Sequence, residues 1–233
     1  MKTELTYPLP AGRVALVLGA VASVLVALHL IAMQAFFNDA LGVKETLGLE
    51  YWHVSVLDLD EEESFGTWFS SGVLLMAALL LLHQGRAARA RALGWSRWWH
   101  VLGMGFCVLS LDEVVGLHEY VNTLMGETSW TVVGFVVLTV VGATYLPFLW
   151  HHRWRTGVLF LTAGVVYGGG AVGVEHFTGD DVNSLGYNMG TALEEGMEMG
   201  GAILFVFALL DHARRTLGRD LRIQVPLAGS EHP

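Results

Sequence analysis

Six stretches of this chain are too long and too apolar for a water-soluble fold to absorb. They cover residues 13–37, 65–83, 99–121, 131–150, 157–176 and 189–210. An α-helix needs only about 20 mostly apolar residues to cross a bilayer. None of the six shows the continuous polar face that a helix on a soluble core carries. The expectation is an all-α integral membrane protein, a six-transmembrane-helix bundle. Composition agrees, since 53% of the 233 residues are hydrophobic and 15% are charged, against about 25% charged in soluble domains. The first stretch outruns the roughly 7–15-residue apolar region of a secretory signal, so it reads as a retained span.

Lys and Arg orient the bundle. Lys2 and Arg13 precede the first span; Arg86, Arg89, Arg91 and Arg97 separate the second from the third. Arg153 and Arg155 lie between the fourth and fifth, and Arg214, Arg215, Arg219 and Arg222 follow the sixth. The remaining connections hold a single base, Lys44. Basic residues stay on the cytoplasmic side, which predicts both termini cytoplasmic in a bacterial inner membrane. Trp95, Trp98, Trp99, Trp150 and Trp154 fall where an aromatic belt would mark the inner interface. Residues 1–212 then form the transmembrane domain, with an outer acidic loop over 38–64 that ends Asp58-Leu59-Asp60-Glu61-Glu62-Glu63. That run reads first as a solvated loop and second as a cation funnel. Residues 213–233 read as a basic cytoplasmic tail, partly disordered. Glycines four apart, Gly164 with Gly168 and Gly169 with Gly173, and the trio Gly196, Gly200 and Gly201, read as close helix packing.

A net charge of −9 with 13 Lys and Arg argues against a nucleic-acid partner. One cysteine, Cys107, excludes an intramolecular disulfide and a Cys-rich zinc site.

The ionisable residues inside the spans carry the functional argument, because such groups are costly in a bilayer and mark function. The third span holds Asp112, Glu113, His118 and Glu119; the fifth ends in Glu175 and His176; the sixth holds Glu194, Glu195 and Glu198; the first adds His29. At about 1.5 Å per residue, all of them reach one level in the outer half, the periplasmic side. Read as one continuous helix, Asp112 and Glu119 share a face, with Gly116 leaving room between them for a neighbour or an ion. Glu113 points about a quarter-turn away and ranks, with His29, below the others. Glu194 and Glu198 project together.

Seven carboxylates at this level face no Lys or Arg within the outer half of any span. A buried ionised carboxylate must protonate or bind a cation. Carboxylates beside histidines make a hard-to-borderline ligand set that suits iron, manganese or zinc. The expected ligands are Asp112, His118, Glu119, Glu175, His176, Glu194 and Glu198 around one or two divalent metal ions, iron or zinc. Glu119 and Glu195 are the candidate catalytic carboxylates. The ligand count resembles that of carboxylate-bridged di-metal bundles, which use Glu-x-x-His pairs; here the pairs are the adjacent His118-Glu119 and Glu175-His176. The leading expectation is a membrane metalloenzyme, a di-iron-type oxidoreductase or zinc-type hydrolase, acting on a lipid-soluble or outer-side substrate. A cation or proton transporter is the alternative. A haem-binding or structural subunit comes third, with His29, His118 and His176 as axial candidates.

Overall fold

The computed structural model describes residues 4–39, 42–125, 130–178 and 184–226. Strand β1 (Glu4–Leu9) leads into α1 (Ala11–Met33), which widens into a π-helical stretch over Gln34–Asn38. The outer loop carries a one-turn helix, α2 (Val43–Leu47), and two 3-10 turns over Tyr51–His53 and Ser55–Leu57. Helix α3 (Phe65–Ala90) starts at Ser64, whose hydroxyl oxygen accepts the Thr67 N–H at 3.2 Å. That side-chain cap satisfies an otherwise orphaned donor of the first turn. Helices α4 (Ser96–Val115), α5 (Leu117–Met125) and α6 (Trp130–His151) follow. Helix α7 (Trp154–Gly168) continues as a π-helical stretch, Gly169–Val174, and a 3-10 turn, Glu175–Phe177. Helix α8 (Leu185–Leu217) is capped by Ser184, which accepts the Tyr187 N–H at 3.1 Å. Strand β2 (Leu221–Pro226) closes the described chain.

Five of the helical segments are long and apolar enough to cross a membrane: Ala11–Asn38, Phe65–Ala90, Ser96–Val115, Trp130–His151 and Trp154–Phe177. Helix α8 has 33 residues, roughly 50 Å of rise, so it does not lack length. Glu194, Glu195 and Glu198 interrupt its apolar run near one end, and Asp211, Arg214 and Arg215 bound it at the other. It is also the best-packed helix, lying against α1, α3 and α7. Leu74, Leu81, Phe148, Met199, Val206 and Leu209 are fully buried around it. The outward faces are apolar instead, with Leu16, Phe135, Val165 and Leu79 all exposed. That inversion suits a hydrocarbon surround, where a greasy exterior carries no penalty.

Strand β1 pairs antiparallel with β2, Glu4 opposite Pro226 and Leu9 opposite Leu221. The two ends of the described chain therefore meet at one end of the bundle, called here the ribbon end. The expected tail is accordingly more ordered at its start: α8 runs past residue 212 to Leu217, and residues 221–226 are strand. Residues 227–233 lie outside the described residues. At the ribbon end Trp95, Trp98 and Trp99 gather around Phe148, with Trp99 at 4.9 Å between ring centroids. Trp150 and Trp154 stay exposed, as an interfacial belt requires. Buried Asp211 is held by Arg155 Nε at 3.1 Å and Arg215 Nε at 2.8 Å.

Only some glycines serve close packing. A Cβ at Gly201 would meet the Tyr167 backbone nitrogen at 2.5 Å, and one at Gly168 would overlap Leu138. Gly164, Gly173 and Gly200 have open space beside them, so the expected spacing motif is satisfied at one member of each pair or trio.

Candidate functional site

The site lies at the loop end, opposite the ribbon. Its geometry begins with a break the sequence concealed. Helix α4 stops at Gly116, which adopts a left-handed conformation at φ 61° and ψ 45°. A glycine tolerates this where other residues are strained. The third span is therefore α4 and α5, not one helix, and the seven-residue spacing of Asp112 and Glu119 no longer places them on one face. Asp112 turns to its own chain: Oδ1 accepts the His118 N–H at 3.0 Å, and Oδ2 is 3.4 Å from His118 Nδ1. The space beside Gly116 holds Glu62 from the outer loop, since a Cβ there would overlap the Glu62 carboxylate. Glu119 lies on α5, and its side chain falls outside the described residues.

The same break changes the standing of Glu113. It faces into the bundle beside Ser70 of α3 and interacts with Glu195 of α8. Glu198, one turn along α8, interacts with both Glu195 and Glu113, and Tyr167 of α7 brings its hydroxyl to Glu198. The strongest charged neighbours of Glu195 and Glu198 are all acids. Glu194 is set toward the rim, with Thr178, Glu175 and Asp60 around it. Residues three and four apart share one helix face, which is why α8 presents all three carboxylates together. The π-helical stretch after α7 allows this face to come close. A Cβ at Gly170 would meet the Glu194 carbonyl oxygen at 2.6 Å and Glu198 Cγ at 3.1 Å.

Of the other expected ligands, Glu175 accepts the Trp130 indole N–H at 2.8 Å on each carboxylate oxygen. His118 packs against that same indole, 5.4 Å between ring centroids. His176 is exposed and pairs through Nδ1 with Thr131 Oγ1 at 3.2 Å. The structure thus brings Glu113, Glu195 and Glu198 together, keeps Glu194, Asp112, His118 and Glu175 at the rim, and turns His176 outward. Among the described residues, no three His, Cys, Asp or Glu side chains are placed to hold one ion together.

His29 occupies a different position from a ligand. It is completely buried, and both ring nitrogens face protein partners. The Leu59 N–H donates to Nδ1 at 3.1 Å, and Nε2 lies 3.2 Å from the Asn188 carbonyl oxygen. Asp58 Oδ1 is 3.3 Å from Nδ1. His29 therefore pins the outer loop between α1 and α8.

That loop is not simply solvated. Asp58 and Leu59 are buried, and Tyr51 donates its hydroxyl to Asp58 at 2.7 Å or Glu61 at 2.8 Å. Burial alone would raise the Asp58 pKa, but the Tyr51 hydroxyl and the Asp60 N–H donate to it and, with His29 beside it, hold the carboxyl below its ordinary range. Asp60 accepts the Tyr187 hydroxyl at 2.7 Å and still sits above its ordinary range, chiefly through burial. The loop adds Asp60 and Glu62 to the site. Sequence reading missed these two, together with Tyr167, Ser70, Thr178 and Tyr187. The acid run was the one available signal.

Long apolar helices around an interior group of carboxylates, closed over by an acidic loop, define a helical protein of membrane type with a polar centre near one end. More specifically, the chain belongs to the family described as a domain of unknown function, DUF8692, whose model matches residues 16–213. No curated protein and no solved structure matches the chain. The family match spans every residue of the site, from His29 to Glu198.

Proposed function

We propose that this protein is a membrane metalloprotein whose carboxylate centre binds a divalent cation and acts on a lipid-soluble or outer-side substrate. The observation that carries the reading is the meeting of Glu113, Glu195 and Glu198, with acids as the charged neighbours of Glu195 and Glu198, and Asp112, His118 and Glu62 beside Glu113. Three like charges in a low-dielectric interior need protons or a cation. Glu113, Glu195 and Glu198 would hold the ion, and Glu194, Asp112, His118 and Glu175 at the rim are the groups nearest to support it. Iron and zinc are the leading candidates on ligand chemistry. A metal there would polarise a bound water; Glu195 is the carboxylate that would take its proton, with Glu119 as the second candidate. Glu113 enters this ligand set on the strength of its position.

The same reading takes α8 as a sixth span. Support comes from the Arg and Lys distribution and from the β1–β2 pairing, which brings both chain ends to one side, as an even number of crossings requires. Positive-inside bias then makes that side cytoplasmic, in a bacterial inner membrane, with the site facing the periplasm. Transport fits less well. A conduit needs polar groups through the bundle, and beyond Glu198 the interior is closed by Met199, Val206, Leu209, Leu81 and Phe148.

Elemental analysis of the purified protein tests the proposal. Stoichiometric iron or zinc is expected in the wild type, with at least a tenfold loss in Glu198→Gln and in Glu195→Gln, and no loss in Asp211→Asn. Metal-free protein from metal-replete expression overturns the reading.

A further inference from the structure

Two long helices fix the depth of what lies between them. Helix α4 has 20 residues and α6 has 22, and both are long and apolar enough to cross a membrane. At 1.5 Å per residue, α4 alone rises roughly 30 Å, which matches the thickness of the hydrocarbon core. Crossing therefore uses up the hydrocarbon by Val115, and α6 does not begin until Trp130. Helix α5, between them, has no hydrocarbon left to cross. At nine residues it is also well short of the roughly 20 that a span needs.

The sequence of α5 has the pattern of a helix lying at a surface. At about 100° per residue, Leu117, Tyr120, Val121 and Leu124 fall on one face, and His118 and Thr123 fall off it. A helix packed on a protein core turns its apolar face inward. Here the order is reversed. Leu117, Tyr120 and Leu124 are exposed, Leu124 at 85%. His118 turns toward the bundle instead, with Nδ1 3.4 Å from Asp112 Oδ2 and its ring 5.4 Å from the Trp130 ring. The outward apolar row of α5 continues that of the end of α4, where Leu111, Val114 and Val115 are exposed. Gly116, with its left-handed backbone, is the joint at which the chain leaves α4.

We propose that α5 is an in-plane helix seated in the membrane interface at the loop end, with lipid against Leu117, Tyr120 and Leu124. The occupant is assigned from continuity with the apolar outer face of α4 and from depth. Tyrosine is enriched at headgroup level, and in-plane amphipathic helices sink about 5–10 Å into the boundary between headgroups and acyl chains. The lipid surface thereby holds His118 at Asp112 and ties the rim of the carboxylate centre to the bilayer. This inference needs α4 and α6 to cross the membrane, and it holds whether or not the acids bind a metal.

The test measures depth. A bimane fluorophore is attached at Leu124→Cys or at Thr123→Cys, each in the full chain carrying Cys107→Ser, in lipid nanodiscs. The quenchers are lipids with a nitroxide near the headgroup, lipids with a nitroxide near the chain end, and aqueous iodide. Both positions are exposed, so labelling displaces little internal packing. The label at 124 should be quenched at least threefold more by the shallow nitroxide than by the deep one, and the label at 123 chiefly by iodide. Equal quenching at the two positions, stronger quenching of 124 by the deep nitroxide, or ready access of iodide to 124 overturns the proposal. So does protection of 124 from all three quenchers, which a second copy of the chain on that face would give. Leu124→Glu, with Tyr120→Ser as a second variant, tests the hold on His118. Modification of His118 by diethyl pyrocarbonate, mapped by mass spectrometry, should rise at least threefold in both, with the exposed His176 as an unchanged reference. An unchanged His118 rate in both variants overturns the tie between the bilayer and the rim.

Discussion

Replacing His29 with leucine should release the outer loop from the bundle. The imidazole is completely buried, and its partners Leu59 and Asn188 are each 3% exposed. Leucine is close in size, so little cavity is created, but it returns neither hydrogen bond. The Leu59 N–H is then left in the interior without its acceptor, whereas the Asn188 carbonyl, inside α8, keeps its place in the helical ladder. An orphaned buried polar group costs about 1–3 kcal/mol, which is the expected loss. Asp58 also loses a contact at 3.3 Å. Glutamine at 29 supplies one donor and one acceptor and should keep more than half of the stability. The measurement is unfolding of purified protein in detergent, followed by hydrogen exchange over residues 50–63. The leucine variant should be destabilised, with exchange in that segment accelerated before global unfolding. A destabilisation below about 0.5 kcal/mol with unchanged exchange would refute the clamp and the idea that the loop is held as part of the site.

Four further outcomes follow from the same structure. Gly116→Ala combines a strained left-handed residue, about 1–2 kcal/mol, with overlap on the Glu62 carboxylate; it should lower the melting temperature and expose Glu62 to carbodiimide labelling. Gly201→Ala places a Cβ 2.5 Å from the Tyr167 nitrogen and should cost about 1–3 kcal/mol through overpacking between α7 and α8, read as a lower detergent melting point. Asp58 is held below its ordinary pKa despite burial, so its contribution is present above about pH 3.9 and is lost as pH falls through the folded value; Asp58→Asn should flatten that acid limb of the stability profile. Burial, with His152 nearby, lowers the His212 pKa to about 4. Unfolded His212 binds a proton near pH 6.5, so stability should decline between about 6.5 and 4, and His212→Phe should remove that decline.

The sequence determined five long apolar helices and a common level, near one end of the bundle, for most of the interior acids. Each of these is local or additive: hydropathy sums over about 20 neighbours, and depth follows from counting residues along a helix. The α8 group was legible for the same reason, since Glu194, Glu195 and Glu198 lie on one unbroken helix. The ranking of Glu113 and Asp112 was not. It assumed that helical phase runs through Gly116, and a glycine's backbone state is set by what packs beside it, here the Glu62 carboxylate from a loop 54 positions earlier in the chain. His29 showed the same limit. Composition cannot tell a ligand from a clamp, because the difference lies in whether the ring nitrogens meet backbone groups of distant segments. Only the tertiary structure decided that the acidic loop folds in over the site, that the α7 π-helical stretch admits α8 at close range, and that the two chain ends pair. These depend on contacts between segments far apart in sequence, where no local pattern carries the information.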